Sequence, residues 1–175
     1  MTDDAVSGNA LSVLLAKQAI TEVLYRYCRA LDRMDRDAAL AVWHPGGTAD
    51  YRPFFQGTGA EFVDWVWVQH AAMTGHSHQI ANVLVEVDGD TAVSESYVTV
   101  TLQSAAGPDR TAETVVRGRY LDRWSLRDGR WAIDERRHVP DLQSVTLHDA
   151  AMTAIEKHEG GSSRDGADPS RQFLG

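Results

Sequence analysis

At 175 residues, with 43% hydrophobic content and five tryptophans, the chain can bury the core of one folded domain, which excludes a disordered polymer. Its net charge of −8 opposes phosphate backbones and no basic cluster offsets it, so nucleic acid is not an expected partner. Cys28 is the single cysteine, which excludes an intramolecular disulfide, and no signal-like start or apolar run of membrane-spanning length is present. The expectation is a cytoplasmic protein with no membrane partner.

Residues 1–9 are polar and expected to fray, and 10–15 are apolar enough to begin a helix. Ile20, Val23, Leu24, Tyr27, Cys28 and Leu31 then recur at spacings of three and four, the stripe of an amphipathic helix facing a core. Asp32 follows Cys28 by four and falls at the edge of that stripe. A carboxylate there either ends the helix or is hydrogen-bonded and paired, because an unpaired one is costly away from water. Asp35 can cap a second short helix reaching Val42 or Trp43, and Pro45-Gly46-Gly47 is expected to break the chain before a short strand at Ala49-Asp50-Tyr51. Gly57-Thr58-Gly59 supplies a turn and a cap for a third helix to about Met73. Its apolar face is read as Phe62, Trp65, Val66 and Gln69, with Trp67 off the stripe, over a loop or against a partner subunit.

From Gln79 the period changes to two. Strands are expected at 79–87, 91–103, 113–126 and 131–139, with Asp88-Gly89 and Asp128-Gly129 as hairpin turns. The pattern gives an α+β fold with an antiparallel meander. One short helix is expected around 150–156. Residues 1–158 read as a single domain, and 159–175, rich in Gly, Ser, Asp and Arg, as a tail that is flexible or docks on another subunit.

His76 and His78 stand two apart in GHSHQIAN, so in an extended chain both point to one face. Two clustered ligands fall short of a zinc site, and no HExxH or cysteine pair accompanies them, so no metal is expected. A histidine paired with Asp32 is the stronger reading, since a carboxylate fixes the imidazole tautomer and raises its basicity. Such a dyad is a general base for a proton on carbon or oxygen. No nucleophile elbow, phosphate loop or dinucleotide fingerprint occurs. Cys28 reads as a small buried hydrophobe, and His44 as the finish of a helix.

A helix, Leu-Asp-Arg-x-Asp, a short helix ending in Trp43-His44-Pro45, then Ala49-Asp50-Tyr51 resembles the SnoaL-like branch of the nuclear-transport-factor-2-like superfamily. That superfamily also holds scytalone dehydratase, hexachlorocyclohexane dehydrochlorinase and bile-acid 7α-dehydratase. The resemblance covers roughly residues 20–138. It implies a cone-shaped α+β barrel, with three N-terminal helices packed on a curved antiparallel sheet around a pocket. It also implies an Asp late in the first helix paired with a His a few residues before an Asn, which selects His78 in His78-Gln79-Ile80-Ala81-Asn82. By analogy with the bile-acid enzyme, Tyr27 and Tyr51 become acids or hydrogen-bond donors. Trp43, Phe55, Trp65, Tyr97, Arg136 and His138 are the candidates for substrate contact.

Two positions depart from the family pattern. Pro140 stands where the bile-acid enzyme has a last-strand Arg, and no second sheet histidine occurs between His78 and His138. Arg136 and His138 share one parity of the last strand and could substitute or face solvent. The resemblance implies a cofactor-independent lyase of the dehydratase type acting on a small or medium hydrophobic ring compound, such as a polyketide or steroid. An isomerase or cyclase using the same dyad, or a non-catalytic ligand-binding module, are the alternatives. Relatives of this kind imply a homo-oligomer, a trimer or dimer.

Overall fold

In the computed structural model, which describes residues 3–155, 158 and 161–174, two helices open the chain: α1 (Asp3–Asp32) and α2 (Arg36–Ala41). Strands β1 (Trp43–Tyr51) and β2 (Phe55–Thr58) precede helix α3 (Gly59–Ala71). Four long strands follow: β3 (Gly75–Asp88), β4 (Thr91–Ala105), β5 (Arg110–Arg127) and β6 (Arg130–Asp149). Short helices α4 (Ala150–Thr153) and α5 (Ser170–Leu174) complete the described chain. The six strands form one curved sheet in the order β2-β1-β6-β5-β4-β3. The helices pack against it, so the fold is α+β.

The sheet is unclosed and mostly antiparallel, as expected for the curved wall, with β1 running parallel to β6. The strand expected at Ala49-Asp50-Tyr51 lies within β1, and β2 joins it between the second and third helices. The expected chain break at Pro45-Gly46-Gly47 lies inside β1, where the register shifts between Trp43 and Thr48. Glycine is needed there because a Cβ on Gly47 would come within 2.7 Å of the Ile133 carbonyl oxygen. His44, expected to finish a helix, is instead buried in β1 with Nε2 2.9 Å from the Ser125 carbonyl.

The stripe on α1 is buried as its periodicity predicts, with Ile20, Leu24 and Tyr27 fully enclosed. The helix reaches back to Asp3, further than the polar composition of residues 3–9 suggests. On α3 the buried face is Phe62, Val63, Val66 and His70, rotated from the one read off the sequence, and Gln69 is exposed. Thr58 and Glu61 form a reciprocal capping box at its start. Trp67 packs, half-buried, against the core. A Cβ on Gly59 would fall inside the Trp43 ring, so glycine lets that indole lie on the first turn of α3.

β3 begins at Gly75, ahead of the expected Gln79, because it pairs with the full length of β4. A bulge between Ala81 and Leu84, with Asn82 at φ 46°, shifts its parity. His76, His78 and Ile80 therefore face the same side as Val83, Val85 and Val87. β6 also outruns expectation, extending beyond residue 139 through Pro140. A bulge opposite Arg117 and Gly118 follows the proline: Pro140 pairs with Gly118 and Leu142 with Arg117, which leaves Asp141 as the extra residue.

Asp149 caps α4, which ends at Thr153; the expected extension to Glu156 falls on a residue outside those described, as do Met1, Thr2, Lys157, Glu159, Gly160 and Gly175. The described part of the tail returns to the turn between α1 and α2, with Arg33 Nε 3.2 Å from Asp168 and Arg171 Nη2 3.1 Å from Asp35. No helix among the described residues is long and apolar enough to cross a membrane.

Candidate active site

Asp32 is the last residue of α1, and His78 stands four residues into β3, where the sheet curves over the helix end. Asp32 Oδ1 lies 2.7 Å from His78 Nδ1, and Asp32 Oδ2 accepts from the His78 backbone N–H at 3.0 Å. Both carboxylate oxygens thus hold one residue. The side chains are 14% and 5% exposed respectively. A carboxylate only accepts, so Nδ1 carries a proton, and in the neutral ring Nε2 keeps its lone pair. That is the tautomer a general base requires.

A second cluster fills the cone beside it. The Tyr27 and Tyr51 hydroxyls are 3.0 Å apart, and burial pushes both phenols above their ordinary range. The Arg136 guanidinium sits between the rings of Tyr27 and Tyr120, 4.5 Å and 4.1 Å from their centroids, and 5.9 Å from that of Trp43. Its charge is met by Asp122, with bonds of 2.7 Å and 2.8 Å and neither side chain exposed. Burial raises the Asp122 carboxyl against the pull of Arg136. Burial also opposes the guanidinium charge, yet Asp122 and the tyrosines hold Arg136 well above its ordinary value. Among the described residues its Nη1 has no hydrogen-bond partner. Cys28 lies within electrostatic reach of both Arg136 and Asp32, and burial pushes its thiol up to about 12, which suits packing rather than nucleophilic attack.

Arg136 and His138 both face this interior, which decides the parity left open by the sequence. The His138 ring is 5.2 Å from Tyr51 and 5.6 Å from Tyr120. It also lines a cleft of about 330 Å³ with Asp50, Arg52, Arg137, Val139 and Pro140. Phe55 and Trp65 flank Phe62, which stacks on Tyr51 at 4.0 Å, so these two stand one ring removed from the tyrosine pair. Tyr97 does not join the group. The inward parity of β4 belongs to Ser94, Ser96 and Val98, leaving Tyr97 on the opposite face, 45% exposed. Its expected substrate contact is corrected accordingly.

Asp122, Tyr120 and His70 escaped the sequence reading. The run Tyr120-Leu121-Asp122-Arg123-Trp124 carried a signal, because a carboxylate at the parity of two large aromatics must find a partner. His70 sits one position beyond the face assigned to α3, and its ring stacks on His76 at 4.2 Å. Among the described residues no group of three or more His, Cys, Asp or Glu side chains is disposed to hold a metal ion.

The histidines predict an acid-side loss of stability. Burial pushes His70 down to about 3 and His138 to about 4, and lowers His76 as well. Unfolded, each titrates near 6.5, so below that pH the unfolded chain binds more protons. Stability is full above about pH 6.5 and falls as pH drops towards the folded values, by up to about 1.4 kcal/mol per pH unit for each histidine. Thermal unfolding at pH 7.5, 6 and 5 is expected to show Tm falling steeply, and His70→Phe to flatten the fall. A pH-independent Tm over this window would contradict the assignment.

The comparisons place this geometry in a family. A model described as SnoaL-like domain matches residues 12–137. A search of curated proteins gives no match. The fold is similar to that of a candidate scytalone dehydratase from Novosphingobium aromaticivorans, at 20% identity and TM-score 0.66, over 75% of this chain and 87% of the other. It is similar also to the hexachlorocyclohexane dehydrochlorinase LinA-type3 of Novosphingobium barchaimii, at 14% identity and TM-score 0.67, over 76% and 91%. A protein of unknown function from Mycobacterium tuberculosis shares 27% identity at TM-score 0.63, over 73% of each chain. With nearly three-quarters of its length matched by that model, the chain belongs to the SnoaL-like domain family.

Proposed function

We propose that this protein is a cofactor-independent lyase of the dehydratase type, acting on a small or medium hydrophobic ring compound. The observation that carries the reading is the two-point grip of Asp32 on His78, at 2.7 Å and 3.0 Å. His78 Nε2 takes a proton from the carbon next to an activating carbonyl, and Asp32 stabilises the imidazolium formed. The electron pair of that C–H bond becomes the new C=C bond as the neighbouring C–O bond breaks. The departing oxygen takes a proton from the Tyr27–Tyr51 pair and leaves as water. Both phenols are held protonated by burial, so they serve as donors at neutral pH. The proton on His78 then restores the phenol. Aromatic rings of Trp43, Phe55, Trp65 and His138 favour an apolar ring over a charged metabolite. Two of the similar structures bear names that denote eliminations, a dehydratase and a dehydrochlorinase.

The same first step serves an isomerase or cyclase, and water loss separates the outcomes. The test is to incubate the protein with β-hydroxy-carbonyl ring compounds of polyketide and steroid size and to follow conjugated-product absorbance and loss of 18 mass units, with His78→Gln as the blank. Turnover by wild type that vanishes in the variant supports the reading. Equal rates in both, or tight binding with no turnover of any compound, would replace it with the ligand-binding reading.

A further inference from the structure

One contact of the tail reaches the ground on which the dyad is built. Arg164 Nη1 donates to the His70 carbonyl at 3.0 Å, and Nη2 to the Met73 carbonyl at 3.0 Å. Nη1 also lies 3.2 Å from His76 Nδ1. A guanidinium has no acceptor, so His76 Nδ1 must accept, and the ring proton is forced onto Nε2. His76 Nε2 is 2.9 Å from the Leu31 carbonyl, to which it then donates. The opposite tautomer would set N–H against N–H at Arg164 and lone pair against lone pair at Leu31.

Leu31 immediately precedes Asp32 at the end of α1. Its carbonyl also accepts from Met34 N at 3.1 Å, while Asp35 N returns to the Ala30 carbonyl at 2.9 Å, with Met34 at φ 50°. The helix therefore ends within the turn that carries Asp32. The tail ties this turn from both sides, since Asp168 meets Arg33, Ser170 Oγ is 3.4 Å from Arg29 Nη2, and Arg171 meets Asp35. Both Asp32 oxygens are committed to His78, so a small displacement of the helix end breaks the pair.

We propose that Arg164 and His76 are positioning residues for the Asp32–His78 pair: the tail fixes the His76 tautomer, and His76 fixes the end of α1. This rests on the lyase reading for its catalytic meaning, but not for its physical test. The groups around the His76 ring are His70, stacked at 4.2 Å, His78 at 6.1 Å between centroids, Arg164 and Asp32. The histidines and Arg164 disfavour a charge on His76 and Asp32 opposes them, so the contact is best read as a donor to a neutral ring.

The experiment uses the full chain with 15N-labelled histidine and two variants, Arg164→Met and Arg164→Lys. In wild type, His76 is expected as the Nε2–H tautomer and His78 as the Nδ1–H tautomer. Arg164→Met should give His76 mixed tautomers and a raised pKa, from loss of the neighbouring charge. The His78 Nδ1 proton should exchange with solvent at least about tenfold faster, because opening of its bond governs exchange. Arg164→Lys keeps a donor without an acceptor and should restore the wild-type His76 tautomer, which a purely structural strap would not require. With any substrate found above, Arg164→Met should lower kcat about 10- to 100-fold at nearly constant KM. A His76 spectrum unchanged in Arg164→Met, or a changed one with His78 untouched, would overturn the proposal. If Arg164→Met does not fold, the His76 tautomer in Arg164→Lys against wild type decides it. If no compound is dehydrated, the lyase reading fails while the histidine spectra still judge the positioning.

Discussion

Asp32→Asn is expected to lower kcat of the proposed elimination by about 100- to 10,000-fold, the usual worth of an oriented general base. The geometry explains why so conservative a change should be so costly. Two donors, His78 Nδ1–H and the His78 backbone N–H, converge on the carboxylate at 2.7 Å and 3.0 Å. An asparagine offers one acceptor oxygen and one donor nitrogen. If its oxygen satisfies the backbone, its NH2 faces Nδ1 and drives the proton to Nε2, where the base is then lost. KM should change little, because Asp32 is not among the rings expected to hold the substrate. The check is steady-state kinetics with a compound from the dehydration screen, alongside a melting curve to show that the variant folds. A variant within threefold of wild-type kcat would remove the dyad from the mechanism.

The largest stability effect is expected at Arg136→Met, about 3 to 5 kcal/mol, as for breaking other buried ion pairs. Arg136 and Asp122 are both fully enclosed and bound twice, so deletion of the cation strands a carboxylate between aromatic walls. Asp122 already tends towards protonation through burial, and without Arg136 it must take up a proton or draw in water. The double replacement Arg136→Met with Asp122→Leu tests the cause. Recovery of most of the loss in urea unfolding would identify the uncompensated charge as the reason. A double variant as unstable as the single one would instead point to the lost stacking of the guanidinium on Tyr27 and Tyr120.

The elements that announced themselves did so through repetition. The stripe from Ile20 to Leu31 has a single consistent period, and burial follows it. The hairpins at Asp88-Gly89 and Asp128-Gly129 combine turn chemistry with alternating flanks. Tyr97 was misplaced because period two states that residues share a face without stating which face is enclosed. That choice belongs to β4's neighbours, whose packing no local window contains. Asp122 and Arg136 are fourteen positions apart on adjacent strands, so their pairing depends on register across a turn. The grip of Asp32 on His78 was suggested by family likeness; spacing alone could not bring a helix end to a strand start. Arg164 lay in a stretch whose Gly, Ser and Asp content reads as unstructured, and its anchoring depends on the His70 and Met73 carbonyls, one in the last turn of α3 and one just beyond it.

The bulge at Asn82 makes β3 two rulers joined end to end. Before it, even-numbered residues carry the inward side chains His76, His78 and Ile80; after it, odd-numbered Val83, Val85 and Val87 do. Removing that one residue would leave every later side chain in its place only by turning the histidines out, or keep the histidines only by turning the valines out. A chain without that residue would keep both faces inward only if its apolar positions beyond the bulge also moved by one. The distance in sequence between His78 and Val83 is thus a record of which way the strand's first half faces relative to its second.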